Sequence, residues 1–108
     1  MKIKILTQHL ELGKERETYI RQKFKKLTQF AHRISDESSE IRVELAHESS
    51  KKSDDQYVCR LTLFVPGDTL RAHARSGSLE NAVDDVIEKI KKPIEHYKDK
   101  MHHMSERK

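Results

Sequence analysis

Cysteine, proline and glycine are scarce in this 108-residue chain, with one, two and three copies respectively. A single cysteine, Cys59, excludes an internal disulfide and any zinc site built from several thiolates. The three glycines fall at turns or element boundaries, which leaves none for a glycine-rich phosphate loop. Apolar runs are short; even Val83 to Ile90 is interrupted by acids, so no segment reads as a membrane span. The start, Met1-Lys2-Ile3-Lys4-Ile5-Leu6, has no apolar stretch long enough for a secretory signal. The length fits one domain with little room for an enclosed substrate cavity. The expectation is a soluble, cytoplasmic, single-domain protein.

What the chain has in abundance is charge. Charged residues make up 37% of it against 34% hydrophobic, with a formal net charge of +4 and a pI near 9.2. The distribution says more than the total. Residues 14–33 carry seven Lys/Arg and two acids; residues 79–88 carry four acids and no base; residues 89–108 carry seven Lys/Arg and three acids. Two basic blocks on a basic domain point first to a polyanionic partner such as nucleic acid.

Periodicity divides the chain into elements. Lys2-Ile3-Lys4-Ile5 alternates as a strand with Ile3 and Ile5 inward. Ile20, Phe24, Leu27, Ala31 and Ile34 form one apolar stripe, which predicts a helix from about Lys14 to Arg33. Asp36 to Ser39 is a polar break. Ile41, Val43 and Leu45 mark a second strand, and Glu48 to Gln56 has no apolar residue and reads as a loose loop. Tyr57, Cys59, Leu61, Leu63 and Val65 line a third strand, with Arg60 and Thr62 outside. Pro66-Gly67-Asp68 is a tight turn into a fourth strand, in which Leu70, Ala72 and Ala74 alternate with Arg71, His73 and Arg75. Ser78 is the expected N-cap of a second long helix with Leu79, Val83, Val86, Ile90, Ile94, Tyr97 and Met101 on its apolar stripe. The predicted class is α+β, order β-α-β-β-β-α, a four-stranded sheet with both helices packed on one face. Pro93 conflicts with that helix. It removes a donor and crowds the Lys89 carbonyl, so a kink, or a stop near Lys92 and a restart, is expected there.

Candidates for catalysis are poor. Cys59 is in phase with core residues and no histidine–acid arrangement lies beside it, so it reads as a buried thiol. Asp54-Asp55 falls in the loop and Asp84-Asp85 in the acidic opening half of a helix, where the macrodipole favours negative charge. The seven histidines show no HxxH or HxxxH spacing, and His102-His103 lies near the end of the chain. No catalytic residue, cofactor or metal ligand is assigned.

The basic residues are better organised. Lys14, Arg21, Lys25 and His32 recur at helical spacing on the first helix, flanked by Lys23, Lys26 and Arg33. On the second, Lys89, Lys92, His96 and Lys100 form one stripe, while Asp84, Glu88, Glu95 and Asp99 form another. Acids early and bases late suit the helix dipole, and Glu88 to Lys92 is a stabilising i,i+4 pair. The dipole does not explain why the bases share one stripe, nor the excess of positive charge on the first helix. Outward-facing Arg71, His73 and Arg75 add to the basic surface. From charge alone, nucleic-acid binding, a plain solvated surface and a protein-binding module all stay open.

As a whole the pattern resembles the ribosome hibernation factors, the family of the hibernation promoting factor and the ribosome-associated inhibitor, also described as sigma-54 modulation proteins. The resemblance covers residues 1 to about 100. It rests on the element order, the strand EIRVELAHES, the hairpin LTLFVPGDTLRAHA and the final helix ENAVDDVIEKIKKPIEHYKDK. The family's final helix typically opens Asp-Met-Tyr-Ala-Ala-Ile-Asp; here Ser78-Leu79-Glu80-Asn81-Ala82-Val83-Asp84 stands there, with Glu80 for the tyrosine. The resemblance implies binding to the small ribosomal subunit and whole ribosomes in the channel between head and body. It also implies overlap with tRNA and mRNA positions, and inhibition of translation in starved or stationary cells. It puts Arg21, Lys23, Lys25, Lys26, Lys89, Lys92, His96 and Lys100 against 16S-type ribosomal RNA, and Arg71 and Arg75 extend the same surface. It further implies a ribosome-binding domain over residues 1–100, a short flexible tail over 101–108, no membrane partner and a monomer when free. Two other readings remain: a general double-stranded-RNA binder, whose α-β-β-β-α order lacks the leading strand, and a protein-interaction regulator.

Overall fold

The computed structural model describes residues 1–48 and 56–106, with side chains described as far as Met101. The chain forms β1 (Lys2–Gln8), α1 (Lys14–Phe30), β2 (Glu40–His47), β3 (Tyr57–Val65), β4 (Asp68–Ser76) and α2 (Leu79–Glu106). This is the expected β-α-β-β-β-α order and an α+β fold. The four strands form one sheet in the order β1-β2-β3-β4. β1 runs parallel to β2 and the other pairs are antiparallel, so α1 is the crossover between the two parallel strands.

The period-two pattern decides which sheet face is covered. Ile41, Val43 and Leu45 of β2, Cys59, Leu61 and Leu63 of β3, and Ala74 of β4 are buried in one cluster with residues of both helices. From α1 come Ile20, Phe24 and Leu27; from α2 come Leu79, Val83, Val86, Ile90, Ile94 and Tyr97. Both helices therefore lie on the same face. Each fully buried Ile, Leu or Phe side chain contributes about 1.5–3 kcal/mol through apolar area removed from water. α1 lies by β1, and α2 lies over β3 and β4. The other face of the sheet is left without a covering element among the described residues.

Local chemistry fixes the boundaries. α1 ends at Phe30 rather than Arg33, and a 3-10 turn over His32–Ile34 follows. The Ile34 N–H donates to the Ala31 carbonyl at 3.1 Å, a tighter closure that still buries both side chains. Between α1 and β2 the Asp36 carboxylate accepts from the Ser38 N–H at 2.9 Å and from the Ser38 hydroxyl at 2.6 Å. Those bonds to the ionised form hold its pKa below the ordinary value. The β3–β4 hairpin turns on Pro66 and Gly67; Gly67 has φ 77, a left-handed conformation that glycine adopts without a Cβ clash. Ser78 is the N-cap of α2, its hydroxyl accepting from the Asn81 N–H at 3.2 Å.

Pro93 lies inside α2, and the helix neither stops at Lys92 nor restarts. Proline in a helix interior costs about 3 kcal/mol against Ala. Ile90, Ile94 and Tyr97 on either side of it are buried against the sheet and hold the helix across the missing hydrogen bond. The helical backbone also continues past Lys100 to Glu106, through residues that the sequence reading gave to a tail; no glycine or further proline stands there to stop it. Of the expected Glu48–Gln56 loop, residues 49–55 lie outside the described residues; at its neck the Glu48 N–H donates to the Gln56 carbonyl at 2.7 Å.

Candidate nucleic-acid interface

The basic residues singled out in sequence do not form one surface. The fold sorts them into three places, and the sorting follows from which flank of each helix faces which neighbour.

The first place is the flank of α2 that overhangs the edge strand β4. Lys89, Lys92, His96 and Lys100 all lie exposed along it. Their spacing of three, four and four residues keeps them in register with Ile90, Ile94 and Tyr97, whose burial pins the helix rotation. The Lys89 ammonium donates to the His73 carbonyl of β4 at 3.3 Å, so its stem crosses the sheet edge. The band continues around that edge onto the uncovered face, where Arg71, His73 and Arg75 are exposed. Two arginines that sequence reading did not assign to the site join them there. Register puts Arg60 of β3 opposite His73, and Arg42 of β2 opposite Thr62, itself opposite Arg71. Arg42, Arg60, Arg71, His73 and Arg75 line a shallow depression of about 560 Å³ with Glu44. The outward phase of Arg42 and Arg60 was the available signal; which strands they would neighbour was not in the spacing.

Like charges across neighbouring strands repel, and the depression is only partly compensated. Glu48 pairs with Arg75 at 2.7 Å and with Arg60 at 3.7 Å. Glu40 pairs with Arg42 at 3.3 Å, and the Arg42 guanidinium also lies 5.1 Å from the centre of the Phe64 ring. Among the described residues, the Nε of Arg42 is buried without a partner. Beneath this layer, Ala46 and Val58 are paired in register and buried although they face outward. Val58 stands opposite Arg75, whose aliphatic stem can cover it while the head stays in water.

The second place is the groove between the helices, and it engages bases internally. Lys23 pairs with Asp84 at 3.0 Å and lies 5.4 Å from the Tyr19 ring centre. Arg16 pairs with Glu80 at 2.8 Å. Lys26 lines the same groove beside Phe30, Ile87 and Lys91. The acidic first half of α2 thus faces the basic α1, which accounts for part of the positive excess that no local effect on α1 explains. The hydrogen bond to Asp84 raises the Lys23 pKa. The bond between Arg16 and Glu80 raises the one and holds the other below the usual carboxylate range. At the far end of the groove the Lys98 ammonium donates to the Phe30 carbonyl at 3.1 Å and lies 4.2 Å from the Phe30 ring centre. It supplies the cation that the last turn of α1 lacks.

The third place is the flank of α1 over β1, at the opposite edge of the sheet. Arg21 and Lys25 are exposed there. The Arg21 guanidinium donates to the Ile3 carbonyl at 3.3 Å and to the Glu17 carboxylate at 3.2 Å.

Cys59 is fully buried, and desolvation pushes its thiol up to about 12, so the thiolate that nucleophilic chemistry needs is absent near neutral pH. Among the described residues no group of three or more His, Cys, Asp or Glu side chains could hold a metal ion, and no helix is long and apolar enough to cross a membrane.

Comparison with known proteins adds a family and a fold. The model of the sigma-54 modulation protein / S30EA ribosomal protein family matches residues 3–102. No curated protein sequence matches the chain. Among solved structures, the N-terminal domain of Thermus thermophilus Protein Y is similar, with a TM-score of 0.69 at 20% identity over 90% of this chain and 99% of that one. A ribosomal subunit interface protein from Coxiella burnetii gives 0.68 at 20% identity, covering 92% of this chain and 99% of its own. At that identity the two structures speak for the shared fold alone.

Proposed function

This chain belongs to the sigma-54 modulation protein / S30EA ribosomal protein family, a family of ribosome-associated factors, and we propose that it is a hibernation factor of the small ribosomal subunit. In this reading it sits in the decoding channel, fills positions that tRNA and mRNA require, and so inhibits translation under stress or in stationary phase. The family's association with ribosomes supports the choice of partner.

The observation that carries the reading is the cationic band from Lys89, Lys92, His96 and Lys100 around the β4 edge to Arg71 and Arg75. These side chains are exposed on rigid elements, so the band can follow a phosphate backbone without first being ordered. Arg21 and Lys25 offer a second, separate contact, while Lys23 is held by Asp84 and Lys26 lies with it in the inter-helix groove. Lysines along a helix and arginines along a sheet edge meet phosphates at fixed spacing, which reads the shape of folded RNA rather than its sequence. Inhibition then needs no chemistry, only occupation. β1 is a full strand paired with β2, the leading strand that the double-stranded-RNA module lacks.

The test is sedimentation of the protein with ribosomes through a sucrose gradient at low and moderate salt. Contact with about five to eight phosphates gives a log–log salt slope of about −4 to −7. Co-migration with the small subunit that weakens with salt is the expected result. Failure to co-migrate at low salt would remove the reading.

A further inference from the structure

We propose that the groove between α2 and the edge strand β4 is a subsite for one unstacked ribonucleotide of the bound RNA, an inference that rests on the RNA-binding reading above. The groove has a volume of about 420 Å³ and is lined by Asp68, Leu70, Lys92, Pro93, His96, Tyr97 and Lys100. Its composition is divided. The floor is apolar, made by Leu70, the Pro93 ring and the body of Tyr97; the rim on α2 is Lys92, His96 and Lys100.

That division matches a nucleotide, which has a flat base and a charged phosphate. The floor is rigid: Leu70 and Tyr97 are buried, and the Tyr97 hydroxyl is tied to the Pro66 carbonyl of the hairpin turn. A base lying on it removes apolar surface from water, while Lys92 and Lys100, eight residues and so about two turns apart, reach the phosphates on either side. Asp68 at the β4 end repels a phosphate and accepts from a base amine or a ribose hydroxyl. Pro93, costly to the helix, is placed where its ring forms floor. A fully paired duplex cannot use this floor, because its bases are stacked inside.

The experiment compares three labelled RNA hairpins by fluorescence anisotropy: an uninterrupted duplex, the same duplex with a single-nucleotide bulge, and one with an abasic bulge. The expected result is that the intact bulge binds about tenfold tighter than the other two, the scale of one base stacked on protein. Pro93→Gln, neutral and a better helix former than proline, is expected to fill the groove and abolish that preference while leaving duplex affinity unchanged. Equal affinity for all three hairpins, or a preference that survives P93Q, overturns the subsite. So does an acidic leucine-rich peptide that binds tighter than the bulged RNA, which would make the occupant a protein. Binding to none of the hairpins, with co-sedimentation on ribosomes intact, overturns the subsite alone; loss of co-sedimentation overturns the RNA reading beneath it.

Discussion

On α1, Arg16 and Lys23 reach across to Glu80 and Asp84 of the neighbouring helix, whereas on α2 Lys92, His96 and Lys100 lie exposed above a sheet edge. Both helices are rich in bases at helical spacing, and sequence alone gives no ground for ranking them. The difference lies in what each flank faces. α1 presents bases to the acidic opening of α2, so part of its charge is used to join the helices. The basic flank of α2 faces away from α1 and lies over β4, whose outward Arg71 and Arg75 are themselves cationic. Net charge therefore measures what a chain carries, and availability to a polyanion depends on which flank the packing turns outward.

The largest effect is expected from Lys89→Glu with Lys92→Glu. Reversing two exposed charges on the free flank should weaken association with the small subunit by on the order of 100-fold at low salt and reduce the salt slope by about two. Thermal melting followed by circular dichroism should stay close to that of the unmodified protein, since neither side chain is in the core. Next is Glu48→Gln. Removing the acid between Arg60 and Arg75 should tighten binding by about two- to threefold at low salt, and an unchanged affinity would detach the uncovered sheet face from the interface.

Smaller effects test the closed side of the comparison. Glu80 has its folded pKa depressed by Arg16. The stability this brings is present above the unfolded value of about 4.3 and is lost as pH falls through the folded value. Because both partners are substantially exposed, the contribution is about 0.5 kcal/mol. Urea unfolding should show Arg16→Ala less stable by that amount at pH 7 and level with the unmodified protein near pH 3; an equal gap at both pH values would contradict the pairing. The smallest effect is expected for Lys23→Gln, which should change ribosome affinity by less than about twofold, in contrast to the α2 variants.

Much of the fold was legible because its core obeys two clear periods. Alternation set the inward residues of all four strands, and the stripes from Ile20 to Ile34 and from Leu79 to Tyr97 set both helices. What local patterns could not show was anything decided between distant residues. The pairs Arg16–Glu80 and Lys23–Asp84 join residues more than sixty positions apart. The gathering of Arg42 and Arg60 with Arg71 and Arg75 depends on strand order and register. Of the two outcomes expected at Pro93, a kink or a stop near Lys92, the stop does not occur: local propensity argues for it, and burial of Ile90, Ile94 and Tyr97 overrides it. Of the candidate site, the α2 stripe could be read from spacing, while the separation of Lys23 and Lys26 from it could not.

The most direct test compares binding isotherms on purified small subunits, across a salt series, for the unmodified protein, K89E/K92E and Lys23→Glu with Lys26→Glu. The account predicts that reversal on the free flank of α2 abolishes most of the binding and flattens its salt dependence, while equal reversal in the inter-helix groove has a far smaller effect. Equal losses for the two double variants, or a greater loss from the groove, would contradict it.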